Sequence, residues 1–556
     1  MSILSINNLT LALPVNADRK HAIEDVSFTL DAGEILCIVG ESGSGKSMSV
    51  NAIMGLLPEG VLPVAGTAQF DGVDLLSLDE TALLKIRGKS ISMIFQEPLS
   101  ALNPLMRVGA QIEEVFEAHG VLSRAQRTAR AIELLSDVGI PEPLMTSRAY
   151  PFQLSGGQRQ RVMIAMALAL EPKILIADEP TTALDVTTQA QILQLIEDLR
   201  QKHKMGVIFI THDIGVVADI ADRVIVMQAG KIVESGERDE VLLHPQHPYT
   251  QALIAAVPRM ASAVSGTESA ETEQMKREPI LEVRQLCKTF SSSSGGIFGK
   301  KRIVKAVQDV EFSLYAGETI GIVGESGSGK SSVGRCLVRL LDPTSGSVLL
   351  NGVDIASLSG EALRASRRRM QMIFQDPYSS LNPRARVDRI LTEGLLAYGT
   401  PRATAIAKAK QLLNLVGLDE SALNRFPHEF SGGQRQRIGI ARALAFEPDI
   451  VIADEAVSAL DVSVQAQVLE LLGDLKKRLN LSMIFITHDL RVAAQICDRV
   501  VVMQNGTIVE TGLASEVLHA PVSPYTRSLL DAIPGQLYEQ ALHDMKQNRN
   551  IRESNI

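Results

Sequence analysis

The 556-residue sequence predicts an α/β protein built from two tandem copies of one domain. The segment IVGESGSGKS occurs at residues 38–47 and again at 322–331, and SGGQRQR occurs at 155–161 and 431–437. Short apolar runs that end in glycine-rich or acidic turns alternate with long helical patterns, which is typical of a parallel sheet with crossover helices. A repeat this long indicates duplicated domains rather than a solenoid.

The composition is that of a globular protein that works in a reducing compartment. Hydrophobic residues make up 45% and charged residues 21%, and 55 basic against 64 acidic residues leave a net charge of −9. This acidic balance argues against nucleic acid as the main partner. The four cysteines form no CxxC pair, which argues against a disulfide framework or zinc ribbon. The sequence shows neither a signal peptide nor a membrane-spanning run, so we expect membrane association only through partners.

The repeat also predicts the domain boundaries. We expect a first domain at residues 1–259, a flexible linker at 260–279, a second domain at 280–535 and a tail at 536–556. The linker prediction depends on the small, polar and charged residues of this stretch, which lacks an apolar period.

Each copy contains a phosphate-binding motif, GxxxxGK[ST], between an apolar strand pattern and a helix pattern. Glycines allow the backbone to bend so that successive N–H groups point at phosphate oxygens, and the helix N-terminus favours the same anion. The lysines are predicted to contact the β and γ phosphates and the following serines to bind Mg²⁺. The residues concerned are Gly40, Glu41, Ser42, Gly43, Ser44, Gly45, Lys46 and Ser47, and Gly324, Glu325, Ser326, Gly327, Ser328, Gly329, Lys330 and Ser331.

Two adjacent acidic residues end a later apolar strand in each copy. Asp178 and Asp454 are placed to hold Mg²⁺ directly or through water. Glu179 and Glu455 follow them and are candidates for the general base that polarises the attacking water.

With these motifs in this order, twice over, the chain resembles the ATP-binding domains of ABC transporters. The resemblance covers nearly all of the sequence apart from the linker and the tail. It implies a P-loop NTPase fold of the ABC type in each copy, with a core sheet flanked by helices and a helical subdomain that carries the SGGQ segment. It also implies ATP hydrolysis, with ATP and Mg²⁺ as cofactors.

The resemblance assigns further residues by position. The signature segments, Ser155, Gly156, Gly157 and Gln158 and Ser431, Gly432, Gly433 and Gln434, are expected to cap ATP held by the opposite domain. One site of this internal pseudo-dimer would then join Lys46 and Glu179 to Ser431, and the other would join Lys330 and Glu455 to Ser155. Ser and Gly N–H groups that open a helix are suited to binding an anion.

Three more motifs are carried over in the same way. Gln96 and Gln375 resemble the glutamine that contacts Mg²⁺ and the nucleophilic water and links the site to the transport partner. Asp185 and Asp461 resemble the aspartate of the loop that crosses the domain interface. His212 and His488 match the switch histidine expected near the γ-phosphate.

The adenine contact differs between the two copies. Members of the family stack an aromatic residue on the base, and Phe290 fits that position in the second copy. The first copy has Leu13 there, so we expect weaker nucleotide binding at the first phosphate loop, by about 0.5–1.5 kcal/mol.

Two further motifs, each present in both copies, resemble the dipeptide and oligopeptide importer branch. The first is FQEPLSALNP at 95–104 and FQDPYSSLNP at 374–383. The second is HPYT at 247–250 and SPYT at 523–526. Such importers use two membrane permease subunits and a periplasmic or surface solute-binding protein, which implies a peripheral position on the cytoplasmic face of the inner membrane. No cysteine-rich stretch follows either PYT segment, so no iron–sulfur cluster is expected.

Alternative interpretations are weighed against the same residues. A soluble twin-ABC ATPase acting on ribosomes would need a long charged arm between its domains, whereas the join here is short and not strongly basic. A DNA-repair ATPase would need inserted zinc-binding cysteines, and the four scattered cysteines argue against it. A scaffold that binds ATP without turnover would not need Glu179, Glu455 and the two histidines. Related importers also carry nickel, glutathione, opines or oligosaccharides, so the cargo is not fixed by these motifs.

Overall fold

The computed structural model describes residues 2–17, 19–182, 184–260, 278–293, 301–458, 460–542 and 544. The chain divides into two compact units. Unit 1 comprises Met1–Leu184, Thr188–Val257 and Ile533–Ile556, and unit 2 comprises Asp185–Thr187 and Pro258–Ala532. The predicted linker lies outside the described residues except at its ends.

The strands of the first copy are β1 Ser2–Ala12, β2 His21–Asp31, β3 Ile35–Val39, β4 Leu62–Phe70, β5 Val73–Asp74, β6 Ile91–Ile94, β7 Ile174–Asp178, β8 Gly206–Ile210, β9 Arg223–Gln228 and β10 Lys231–Glu237. Its helices are α1 Lys46–Met54, α2 Glu80–Ile86, α3 Pro98–Ala101, α4 Val108–Ala118, α5 Arg124–Asp137, α6 Pro143–Ser147, α7 Gly156–Ala167, α8 Val186–His203, α9 Ile214–Ile220, α10 Arg238–Leu243 and α11 Pro248–Ala255.

These strands form two sheets. A four-stranded antiparallel sheet has the order β2-β1-β4-β5, and a six-stranded sheet has the order β10-β9-β3-β8-β7-β6. Strands β9, β3, β8, β7 and β6 run parallel, and only β10 pairs antiparallel. The carboxyl ends of β3, β8, β7 and β6 therefore lie along one edge of the sheet, where parallel α/β sheets place their ligands.

The sequence of β3 explains why it occupies the sheet centre. All five of its residues are buried. Ile35, Cys37 and Val39 belong to the apolar core that also contains residues of helices α4, α5, α7 and α8, while Leu36 and Ile38 belong to the core that contains the antiparallel sheet. A strand buried on both faces needs a continuous apolar run, which is the pattern seen in ILCIV.

The second copy repeats this architecture. Its strands are β11 Leu281–Ser293, β12 Lys301–Leu314, β13 Thr319–Val323, β14 Ser345–Leu350, β15 Val353–Asp354, β16 Met370–Ile373, β17 Ile450–Asp454, β18 Ser482–Thr487, β19 Arg499–Gln504 and β20 Thr507–Leu513. Its helices are α12 Lys330–Leu337, α13 Gly360–Arg369, α14 Pro377–Ser380, α15 Val387–Ala397, α16 Arg402–Leu415, α17 Gly432–Leu444, α18 Val462–Leu479, α19 Leu490–Ile496, α20 Ala514–His519 and α21 Pro524–Asp531.

The two copies also share their strand order. The sheets of the second copy run β12-β11-β14-β15 and β20-β19-β13-β18-β17-β16, which is the order of the first copy element by element. The prediction of two tandem α/β domains is confirmed. Within the described residues, none of the helices is both long and apolar enough to cross a bilayer.

The carboxyl-terminal segment belongs to unit 1 rather than to the copy that precedes it in sequence. The N–H of Gly535 donates to the carboxylate of Asp219 at 2.9 Å, and the hydroxyl of Tyr538 donates to the carbonyl of Leu242 at 3.0 Å. The Gly535 backbone lies so close to Gly215 that an added Cβ would come within 2.7 Å of its Cα.

Truncation of Phe209 should destabilise unit 1 through its central sheet. Phe209 is fully buried in β8, so Phe209→Ala leaves a cavity and should cost about 3–5 kcal/mol in free energy of unfolding. Denaturant unfolding followed by circular dichroism measures this loss. The control is Phe152→Ala, because Phe152 is 68% exposed; an equal loss for both variants would contradict the packing described here.

Candidate nucleotide-binding sites

The phosphate loop of the first copy is built on glycines that no other residue can replace. Gly40 follows β3 with φ 149°, and a Cβ there would lie 2.3 Å from the carbonyl oxygen of Met227. Gly45 caps α1 with φ 106°, so the first N–H groups of the helix open directly from the loop. Gly324 and Gly329 repeat this geometry with φ 144° and 103°. Both loops therefore present the helix start that binds phosphate.

Lys46 lies inside its loop rather than in solvent. Its side chain is 5% exposed, and its Nζ donates to the carbonyls of Gly40 at 2.7 Å and Glu41 at 2.9 Å. Lys330 makes the same contacts with Gly324 and Glu325, at 2.7 and 2.8 Å, and burial lowers its pKa. The ammonium is held at the loop, as an anion-binding role requires.

A serine–aspartate hydrogen bond joins each phosphate loop to the strand-end acid. Ser47 Oγ donates to Asp178 Oδ1 at 3.0 Å, and Ser331 Oγ donates to Asp454 Oδ1 at 2.8 Å. Both aspartates are buried, and this burial raises their pKa values above the usual range. The structure thus brings together two of the three residues predicted to bind the metal in each copy.

The glutamate that follows each aspartate has a strained backbone. Glu179 has φ 47° and Glu455 has φ 48°, in the left-handed region that non-glycine residues seldom adopt. The N–H of Glu179 donates to Ile210 at 3.0 Å, which holds the turn against β8. Such strain is concentrated at functional sites.

Side chains from three loops converge on the Glu179 carboxylate. Gln96 Nε2 and Thr182 Oγ1 each donate to Oε2 at 2.9 Å, and His212 Nδ1 lies 3.4 Å from Oε1. Burial alone would raise the pKa of Glu179, but His212, Thr182 and the Lys46 charge outweigh it and lower that pKa to about 2. The carboxylate therefore stays ionised at neutral pH and keeps the charge that a general base needs.

The second site has the same arrangement with one difference. Gln375 donates to Oε2 of Glu455 at 2.5 Å, and His488 Nδ1 lies 3.5 Å from Oε1. Burial would lower the pKa of His488, but the Glu455 carboxylate outweighs it and raises that pKa. Ser458 stands where the first copy has Thr182, and its hydroxyl donates to the Glu455 carbonyl instead of the carboxylate.

The SGGQ segments open helices α7 and α17. Ser155 is the N-cap of α7 and accepts from the N–H of Gln158, whose side chain in turn accepts from the N–H of Ser155. Gly157 is needed for packing, because a Cβ would lie 2.6 Å from Thr188 on α8, whereas a Cβ at Gly156 would make only an ordinary contact, 4.0 Å from Leu184. Ser431, Gly432, Gly433 and Gln434 repeat this capping box in the second copy.

The remaining predicted residues are the interface aspartates and the residues at the adenine position. Asp185 directly precedes α8, and Asp461 is the N-cap of α18. Phe290 projects from β11 and is 40% exposed, so its ring is accessible to a base. Leu13 instead is partly buried against the core formed with the antiparallel sheet.

Sequence reasoning missed three contributors to the sites. Thr182 holds the first glutamate, and two tyrosines of the PYT segments reach the phosphate loops. Tyr249 Oη accepts from the N–H of Glu41 at 3.1 Å, and Tyr525 Oη accepts from the N–H of Glu325 at 3.2 Å. The repeated PYT segment was the available signal for the tyrosines, although sequence alone could not connect residues that lie 208 and 200 positions apart.

Comparison with known families decides the family of this chain. Residues 23–182 and 307–458, more than half of the sequence, match the family described as ABC transporter. The chain belongs to the ABC transporter family. Each copy is therefore an ATP-binding cassette, and the predicted α/β fold and ATPase class are confirmed.

The branch is supported by a second family match and by curated relatives. Residues 233–284 and 509–555 match the family described as oligopeptide/dipeptide transporter, C-terminal region. Glutathione import ATP-binding proteins GsiA of Shigella dysenteriae serotype 1 and Escherichia coli O157:H7 are each 47% identical over 96% of this chain and 90% of their own length. The same protein of Salmonella paratyphi A is 47% identical over 96% of this chain and 89% of its own. The prediction of the peptide importer branch is confirmed.

Substitution of Gly40 should weaken nucleotide binding at the first cassette. Gly40→Ala places a methyl group against the Met227 carbonyl and strains the backbone, which should weaken ATP binding there about tenfold or more. The measurement is photolabelling with 8-azido-ATP, with the label assigned to each cassette by peptide mass spectrometry.

The matched control for this variant is Gly33→Ala. Gly33 also has a positive φ, of 77°, but an added Cβ there meets nothing within 4 Å. Equal labelling of the Gly40→Ala and wild-type first cassettes would contradict the loop geometry.

Proposed function

We propose that this chain hydrolyses ATP to drive the uptake of short peptides or peptide-like solutes such as glutathione. The observation that supports it most is that both cassettes hold a complete set of loop lysine, aspartate, glutamate, glutamine and histidine in matching geometry. A scaffold that only binds ATP would have no need of two ionised, held glutamates. The glutathione cargo is supported by the curated relatives, which match along nearly the whole chain.

In the proposed reaction, Glu179 and Glu455 accept a proton from the water that attacks the γ-phosphate. Lys46 would leave the loop carbonyls for the phosphate oxygens and stabilise their charge. His212, 3.4 Å from Glu179, would hold the orientation of that carboxylate and contact the γ-phosphate. Gln96 donates to the same carboxylate and fixes its second oxygen.

The donor set fits a magnesium ion. Ser47 and the buried Asp178 supply hydroxyl and carboxylate oxygens 3.0 Å apart, and hard oxygen donors of this kind are what Mg²⁺ prefers. Together with Gln96 they would hold the ion beside the phosphates, and Ser331, Asp454 and Gln375 would do so in the second cassette. Bound there, the ion would neutralise charge on the β and γ oxygens.

We further propose that the two cassettes form one ATP sandwich. Each ATP would be held by the phosphate loop of one cassette and by the signature segment of the other, with Asp185 and Asp461 in the connecting loops. The exposed Ser155–Gly156 start of α7 supports this, because the N-terminus of a helix favours an anion such as phosphate.

The sandwich would drive two permease subunits supplied with cargo by a solute-binding protein, with this chain at the inner face of the membrane. A groove of about 320 Å³ in the second cassette supports permease docking. Phe374, Ile390, Gly394 and Phe446 line it, and Phe374 directly precedes Gln375. A permease helix seated there would sense the position of Gln375.

Removing both glutamates should stop turnover while leaving ATP binding intact. In the chain carrying Glu179→Gln and Glu455→Gln, loss of the proton acceptor should lower ATP hydrolysis by about 10²–10⁴-fold. Phosphate release and equilibrium ATP binding are measured on the same preparation.

The chain offers a matched control pair for this experiment. Glu171 and Glu447 also adopt positive φ and also repeat in both copies, but they lie outside the sites. The variants Glu171→Gln and Glu447→Gln should hydrolyse ATP like wild type. If the double variant at 179 and 455 kept its turnover, the proposed role of the two glutamates would be wrong.

Cargo is tested with the chain assembled with its permeases and binding protein in proteoliposomes. Glutathione and short peptides should stimulate ATP turnover and accumulate inside. Stimulation by nickel, an opine or an oligosaccharide alone would overturn the peptide assignment, and turnover that never responds to permeases would favour a soluble ATPase.

Replacing Phe290 should make the two cassettes more alike in nucleotide affinity. Phe290→Leu gives the second cassette the residue type of Leu13 and removes aromatic stacking, so its ATP affinity should fall about 2–10-fold. Site-resolved 8-azido-ATP titration measures it in the hydrolysis-deficient chain. Equal affinities of the two cassettes before substitution would count against the adenine assignment.

A further inference from the structure

The PYT segment of each cassette contacts the phosphate loop through one hydroxyl group. Tyr249 Oη accepts the N–H of Glu41, and Tyr525 Oη accepts the N–H of Glu325, at 3.1 and 3.2 Å. The contact is made twice, within cassettes of different sequence. Burial raises the pKa of Tyr525 to about 12, so the phenol is neutral at physiological pH.

The glutamate of the loop is held on both of its backbone sides. Its N–H is bound by the tyrosine, and its carbonyl accepts from Lys46 in the first cassette and from Lys330 in the second. If Lys46 moves to the phosphates when ATP binds, the contact with Tyr249 still holds the N–H side of Glu41, and the N–H of Ser44, at 3.1 Å, still holds its carbonyl.

The turn that precedes each tyrosine is held by a carboxylate. Glu234 on β10 accepts from the N–H groups of Gln246 and His247 at 2.7 and 3.1 Å, just before α11 begins at Pro248. Glu510 on β20 accepts from Val522 and Ser523 at 2.7 and 3.2 Å in the same way.

Further contacts secure the turn before each of these helices. Gln251 and Arg527 close it by donating to Pro245 and Pro521. Leu253 and Leu529 anchor the helices in the core of their own cassette. Two unlike turn sequences, HPQHPYT and APVSPYT, are thus fixed by equivalent contacts.

From these contacts we infer that Tyr249 and Tyr525 are positioning residues that hold the phosphate loops in their nucleotide-binding shape. The carboxyl-terminal extension of each cassette thereby sets ATP affinity through the chain Glu234–turn–Tyr249–Glu41 and its counterpart in the second cassette. The inference rests on the proposed function, because it requires ATP to bind at these loops.

The test compares Tyr249→Phe and Tyr525→Phe with the wild-type full-length chain. Each variant loses only a hydroxyl and leaves one loop N–H without its partner. We expect site-resolved 8-azido-ATP affinity to fall about 3–10-fold at the altered cassette alone, and KM for ATP to rise while kcat stays within about twofold.

Tyr398→Phe is the matched control, because the Tyr398 hydroxyl also makes a hydrogen bond to the backbone, in this case as a donor to the carbonyl of Arg364, and it lies far from either loop in sequence and outside the site motifs. It should leave ATP affinity unchanged. The thermal midpoint of the nucleotide-free chain should be alike for all three variants, which separates loop positioning from a general loss of stability.

A double-mutant cycle with Glu234→Ala tests the chain of contacts. If Glu234 acts through Tyr249, the double variant should lose about as much ATP affinity as the weaker-binding single variant, whereas independent structural effects would add. Wild-type affinity in Tyr249→Phe and Tyr525→Phe, or fully additive losses, would overturn the inference alone. A wild-type chain that bound no ATP would overturn the proposed function as well.

Discussion

The hydrogen bond between Ser47 and Asp178 is the contact on which each site depends, with Ser331 and Asp454 as its counterpart. It joins the start of the loop helix to the end of the neighbouring acidic strand, although 131 residues separate the two partners in the first cassette. Because the aspartate is buried, the bond also compensates part of the cost of burying a charge. The loop and Glu179, the proposed general base next to Asp178, are thereby fixed relative to one another.

Parallel strands make this contact possible. Strands β3, β7 and β8 end at the same edge of the sheet, so the loop after β3, the acids at the end of β7 and the histidine after β8 meet without any of them lying close in sequence. The local motifs supply suitable groups, and the sheet supplies their distances. The apolar runs that form the strands therefore determine the geometry of the candidate site as much as the polar residues do.

This division explains which features could be predicted. The strands, the phosphate loops and the capping serines follow from local patterns, and the repeat let each prediction be checked within the chain. The hydrogen bond from Thr182 to the Glu179 carboxylate could not be predicted, since it depends on a side-chain rotamer. Two other contacts, of Tyr249 with Glu41 and of Gly535 with Asp219, join residues more than 200 positions apart. No periodicity in the sequence encodes such pairs.

The duplication also shows which parts of the site tolerate change. Pro180 of the first cassette is replaced by Ala456 in the second, yet the glutamates keep the same left-handed backbone and the same histidine and glutamine partners. The backbone turn is therefore set by the sheet edge and not by the proline. What does differ is the hydroxyl group, which reaches the carboxylate of Glu179 but only the carbonyl of Glu455. A hydrogen bond donated to a carboxylate favours its charged form. The hydroxyl of Thr182 therefore makes Glu179 less ready than Glu455 to accept a proton. Two cassettes with one constellation of residues can thus differ in base strength through a single hydroxyl.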